Sequence, residues 1–317
     1  MGVNRTLLYS GIFLVAIGAV VVAADIGGVR TEVLVDALRL WPLAIIAIGL
    51  GLVLRRTRVS LAGGMLAAAA PGLLLGGAFA VVPRVGDFCG LGDVAASAVT
   101  REGTFDGAAS VSITTGCGAL ELRTAPGPGW RLEARHTDGR APLVVGSARS
   151  LSIEAVDHDG WPGAGRDEWD LVLPANDVEA LTVVVNAGRG DIDLGEAELE
   201  RLSVTASAAD VSVDASTAAI ADLTGEVNFG RLSIQLPASD LVGSLAAGAG
   251  QIQICAPPEL GLRVTSTESM GSVSVEGRHL GRSDYQSPNY ASAAHRADLV
   301  VDVSFGTIEI DPIGGCR

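Results

Sequence analysis

GDIDLGEAELERLSVTASAADVSVDASTAAIADLTGEVNFGRLSI, residues 190–234, decides the fold. Apolar and polar side chains alternate here in short bursts, Ile192/Leu194, Val211/Val213 and Leu232/Ile234, each following small turn residues. Alternation with period two buries one face of a strand. The bursts recur at Leu120/Leu122, Ile252/Ile254, Val273/Val275 and Ile308/Ile310, and from 192 to 273 they step by 19, 21, 20 and 21 residues. Glycine precedes most of them (Gly118, Gly190, Gly230, Gly250, Gly271, Gly306), with Ala209-Asp210 in its place once. A unit of two short strands cannot bury its apolar face alone, so a self-similar period near 20 residues predicts stacked units. The predicted domain is a β-solenoid, a stacked two-sheet β-repeat. An antiparallel β-sandwich of hairpins is the alternative, and the break in spacing over 276–298 favours it. Residues 104–174 alternate less regularly and are expected to cap or begin the stack.

Outward from this repeat the chain changes character. Residues 1–84 hold seven arginines and three acids, net +4, whereas 85–317 hold fifteen arginines and thirty-three acids, net −18. Three windows without a charged side chain, Leu7–Ala24, Leu40–Leu54 and Leu61–Val82, have 18, 15 and 22 residues. About 20 apolar residues span a bilayer core, so these windows predict three transmembrane helices over 1–84, a juxtamembrane linker over 85–103 and a β-repeat domain over 104–317. The fold class expected is therefore membrane α plus all-β. A cleaved signal peptide is the alternative for the first window, with Arg5 as its basic start. Arg55, Arg56 and Arg58 crowd the second loop without an acid, which by the positive-inside rule puts that loop in the cytoplasm. Three crossings then predict a multi-pass protein of the bacterial cytoplasmic membrane whose C-terminal domain is extracytoplasmic. Cys89, Cys117, Cys255 and Cys316 all follow the last window, which suggests two disulfides in an oxidising compartment, with three pairings open.

Several chemistries are excluded at once. All 22 basic residues are arginine, which rules out a Walker-type phosphate loop and any lysine nucleophile or base. An acidic domain also repels nucleic acid. His136, His279 and His295 lack metal-ligand spacing, and no cofactor, metal or catalytic constellation is expected. The acidic loop around Asp157, Asp159, Asp167, Glu168 and Asp170 is read as solvated rather than calcium-binding. The outward positions Asp191, Asp193, Asp210 and Arg231 form the expected binding face. If Asp191 and Asp210 stack as neighbours, they make a carboxylate pair of the kind that cleaves polysaccharides; a solvated polar face, with Arg231 neutralising Asp210, is the plainer reading. A non-catalytic binding, sensing or regulatory domain is thus expected, with an anchored polysaccharide hydrolase or lyase, or a surface adhesin, as alternatives.

GIFLVAIGAVVVAADIG (11–27) followed by LWPLAIIAIGLGLVLRR (40–56) resembles the membrane hairpin of LiaF-like bacterial envelope-stress proteins, on Gly11, Gly18, Trp41, Pro42, Ile48 and Gly49. GALEL (118–122), GDIDL (190–194) and GTIEI (306–310) resemble the adhesin-like β-domains found with such hairpins. The third window departs from the four-span LiaF pattern. The resemblance implies a regulatory or structural envelope protein. It implies a membrane histidine kinase or other envelope protein as partner, to which the apolar windows add the lipid bilayer and the expected binding face adds cell-wall glycan.

Overall fold

The computed structural model describes Val15 and residues 97–136, 140–156, 167–281 and 284–311. The chain divides into two compact units, Met1–Arg84 and Val85–Arg317, and every element below belongs to the second. An opening block holds β1 (Ser97–Thr104), β2 (Ala109–Ala125), β3 (Gly129–His136), β4 (Leu143–Ser147), β5 (Ser150–Glu154) and β6 (Asp167–Pro174). Three long strands follow, β7 (Val178–Asp193), β8 (Glu198–Asp214) and β9 (Ala219–Gln235). The closing block holds β10 (Leu241–Ala247), β11 (Gln251–Cys255), β12 (Gly261–Glu268), β13 (Ser272–Val275), β14 (Arg278–His279), β15 (Tyr285–Gln286), β16 (Arg296–Val303) and β17 (Thr307–Ile310).

β2, β7, β8 and β9 pair in parallel and in register along nearly their whole lengths. Each turns a corner midway. In β7 the buried positions run 181, 183, 185 and then jump three residues to 188, 190, 192; β8 repeats this with 202, 204, 206 and then 209, 211, 213. The jump swings the second half of each strand into a second sheet, and the core lies between the two sheets. Leu181, Leu202 and Leu223 stack in one sheet, and Ile192, Val213, Ile234 and Ile254 stack in the other. All seven are buried, and each such side chain stabilises by roughly 1.5–3 kcal/mol relative to leaving it exposed.

The corner explains the glycines. Gly118, Gly188, Ala209 and Gly230 share one register row. Gly188 has φ of 112°, and an added Cβ would lie 1.9 Å from the Gly118 carbonyl oxygen. The corner glycine of this unit is therefore Gly188, not Gly190. Gly190 pairs with Leu120 and Val211 and sits in the core. Aligning Ile192 with Val211 is off by two residues, because Ile192 pairs with Val213. A two-residue slip leaves every side chain on its correct face, so alternation alone cannot detect it.

The closing block departs from chain order. β10 and β11 pair with β9 on one side and with β16 and β17 on the other, and β16 and β17 then pair with β12 and β13. The last coil in sequence is thus the penultimate in space. The stretch 276–295, within the expected break in spacing over 276–298, carries the crossing from β13 to β16. Within it β14 and β15 add antiparallel to β13 and β12. Tyr290 is buried with the Arg263 guanidinium 4.3 Å and the Arg296 guanidinium 5.7 Å from its ring centre, and it donates to Asp298 Oδ1 at 2.8 Å. At the other end β1, β3 and β6 extend the second sheet and the β4–β5 hairpin extends the first.

Several expectations need correction. The fold class of membrane α plus all-β gives way to all-β for the described residues, and none of their helices is long and apolar enough to cross a membrane. The physical reason is periodicity. The described chain alternates with period two, whereas a spanning helix needs about 20 consecutive apolar residues. Multi-pass localisation with an extracytoplasmic domain is withdrawn on the same finding. The windows Leu7–Ala24, Leu40–Leu54 and Leu61–Val82 lie outside the described residues, Val15 excepted. Part of the linker expected over 85–103 is strand, because Ser97–Thr104 pairs with β3 along its whole length. Leu143 and Val145 are exposed, and Val144 between them packs on the core.

Candidate binding face

Asp191, Asp193, Asp210 and Arg231 all project from the outer face of the second sheet, but not in the expected rows. Asp210 lies between Arg189 and Arg231 in register, so charge alternates along that row, which continues through Gln251 and Thr307. Arg231 Nε donates to Gln251 Oε1 at 3.3 Å. Asp191 pairs with Glu121 and Ser212, and Asp193 pairs with Arg123 and Asp214. Asp191 and Asp210 are therefore diagonal neighbours, about 7–8 Å apart at Cα, and not a facing pair.

The register assembles a different carboxylate row. Glu133 pairs with Asp170, Asp170 with Glu121, and Glu121 with Asp191, on four successive strands. Like charges directly opposite one another are destabilising, and arginines on both flanks offset them. Arg123 reaches Asp170 Oδ1 at 3.2 Å, and Arg135 reaches Glu168 at 3.9 Å. Arg131 pairs with Glu133 and lies 3.6 Å from Glu102. Each of these partners is at least a third exposed, so single pairs contribute little stability. Two open depressions of about 460 and 350 Å³ meet over Glu121 and Asp191; the first also reaches Arg135 and Arg189, the second Arg123 and Asp214. Glu121, Glu133 and Asp170 were not singled out as face residues by sequence. Glu133 and Asp170 lie on β3 and β6, which extend the sheet beyond the repeat and have no period to align them.

Cys117 and Cys255 are disulfide-bonded. They are not bonded to each other. β2 and β11 are four strand steps apart, which is about 19 Å, while a disulfide needs Cα atoms within ~7 Å. Cys89 and Cys316 lie outside the described residues, as do Asp157, His158 and Asp159 of the acidic loop. Among the described residues no group of three or more His, Cys, Asp or Glu side chains is placed to hold a metal ion.

No model of a known protein family matches the chain, and no curated protein matches it. Solved structures do resemble it. One is a candidate cell adhesion protein from Clostridium sporogenes, 14% identical, covering 69% of this chain and 100% of that one, with a TM-score of 0.46. A candidate adhesin from Bacteroides fragilis is 11% identical over 68% of this chain and 97% of its own, with a TM-score of 0.37. Another, from Parabacteroides merdae, is 12% identical over 68% and 96%, with a TM-score of 0.30. None of these comparisons matches the LiaF-like hairpin, and residues 11–27 and 40–56, which carry that resemblance, lie outside the described residues apart from Val15.

Proposed function

We propose that the β-domain is a non-catalytic recognition module that adheres to an extended surface partner, such as cell-wall glycan, along the outer face of its second sheet. The observation that carries this reading is the row Glu133–Asp170–Glu121–Asp191 with arginines on both flanks, lying under two depressions that join end to end. Small-molecule sites are concave and bury most of their ligand. An open face with donors and acceptors repeated at strand spacing suits a polymer that presents the same group at intervals. Carboxylates that cleave glycosidic bonds flank the scissile bond from two sides, whereas these four project side by side from one sheet. A regulatory role toward a membrane histidine kinase draws no support from the described residues and forms no part of this reading.

The test is a pull-down of the full chain on insoluble bacterial cell-wall glycan, with soluble sugar release followed in parallel. Retention without sugar release is expected, and Glu121→Ala with Asp191→Ala should lower retention severalfold. Steady release of reducing ends, abolished by those same substitutions, would instead make this a glycan hydrolase.

A further inference from the structure

A second row of side chains runs along the corner between the two sheets. Ala187, Ala208 and Phe229 are register partners there. The row then passes to Ala249, Phe305 and Met270, held by Ala249 N–H donating to Asn228 O, Phe305 N–H to Gly248 O and Met270 N–H to Ser304 O, at 2.7–2.9 Å. Phe229 is 50% exposed, Phe305 66% and Met270 71%. This chain is only 4% aromatic, yet two of its phenylalanines stand in one exposed row. Because the last coil is inserted ahead of β12 and β13, only Ala249 lies between them. Their backbone positions are therefore two strand steps apart, about 9.6 Å.

We propose that this corner binds a neutral β-1,4-linked polysaccharide lying along the stacking axis, with Phe229 and Phe305 each stacked under alternate sugar rings. The idea rests on the adhesive reading above only in taking the partner to be a glycan. Alternate residues of a β-1,4-linked chain present the same face, and their repeat is close to the spacing of these two backbone positions. The C–H face of a pyranose is apolar with electropositive hydrogens, which suits the electron-rich face of a phenyl ring. Hydroxyl partners lie on both sides of the row. Asn228, Ser304 and Ser269 precede it, and Arg231, Gln251 and Thr307 follow it after one glycine. Only Arg231 among these is charged, and the domain as a whole carries −18, so an anionic polymer is disfavoured.

The full chain is titrated with soluble β-1,4-linked hexasaccharides of N-acetylglucosamine and of glucose, with polygalacturonate as the anionic comparison. A neutral hexasaccharide should bind and polygalacturonate should not. Phe229→Ala with Phe305→Ala should weaken that binding by about tenfold or more, without changing the circular dichroism. Phe229→Trp should retain it, with an emission shift on sugar addition. Undiminished binding by the double alanine variant, or failure of the native chain to bind either hexasaccharide, overturns the proposal. So does a change in oligomeric state or in vesicle binding without a change in sugar affinity, which would assign the row to a second copy or to lipid. If binding survives loss of the phenylalanines but not of Glu121 and Asp191, the corner site fails while the proposed function stands. If cell-wall glycan is not retained either, both fail.

Discussion

The unbroken coils and the divided ones are built from similar repeats yet stack by different rules. β7, β8 and β9 run 16–17 residues through the corner and stack in chain order. The closing coils are divided at the corner into β10/β11, β12/β13 and β16/β17, and the third pair is inserted ahead of the second. A repeat of matched inward side chains therefore specifies what a coil is, but not which coil it lies against. Any two coils with compatible inward faces and corner glycines can be neighbours. The 276–295 crossing and its Tyr290 cluster then select one order. The corner row is shared between the two kinds of coil: β7 and β8 place alanine there and β9 places Phe229, while the divided coils place Ala249, Phe305 and Met270.

The strongest way to break this comparison is to remove β16 and β17 by ending the chain after His295. That deletes a coil with neighbours on both sides. Amide hydrogen-exchange protection should vanish over 241–275 and persist over 178–235, because stacked repeats are stabilised by their nearest neighbours. Loss of protection throughout would show the coils to be one cooperative unit. A smaller effect sharpens the contrast at the corner. Gly188→Ala meets the Gly118 carbonyl oxygen at 1.9 Å with φ of 112° and should cost about 4 kcal/mol in urea unfolding, from backbone strain and overpacking together. Gly250→Ala meets Val227 Cγ1 at 2.0 Å and the Gly230 carbonyl oxygen at 2.8 Å, a longer backbone approach without the left-handed φ, so it should cost less than Gly188→Ala. The reverse ranking would contradict the corner geometry.

The smallest effect concerns the end of the last coil. Burial lifts the Asp311 carboxyl above the usual carboxylate range; Glu276 adds to this and the N–H of Ala256 opposes it. The folded state then holds the proton more tightly than the unfolded chain. The associated stability is present below the unfolded pKa and lost as pH rises through the raised folded value. Asp311→Asn keeps an acceptor for Ala256 N–H, now at 2.8 Å, and suits the φ of 48°. It should stabilise the fold by roughly a few tenths of a kcal/mol at neutral pH, the group being half open to solvent. The difference should disappear in acid; a constant difference at all pH values would remove titration as its cause.

Leu202/Val204, Val211/Val213 and Leu232/Ile234 could be read as inward-facing strand positions from alternation alone, because a pleated backbone has only two faces. Outward positions were readable to the same degree: Asp191, Asp193, Asp210 and Arg231 are exposed, as alternation requires. Their neighbours were not readable, because the two-residue slip at Gly190 preserves every face while changing every partner. Asp170 meets Glu121 through the parallel pairing of β6 with β2, and Glu133 joins them through the antiparallel pairing of β3 with β6; no period announces either.

What the sequence determined by itself was local: strands, faces, corners rich in glycine, and an acidic arginine-only surface. These follow from steric and solvation preferences felt within a few residues. The order of the last two coils, the four-carboxylate row and the approach of Phe229 to Phe305 were decided by tertiary structure alone. Each depends on which backbone edges find each other across long stretches of chain, and equivalent edges are chosen by packing, not by local pattern.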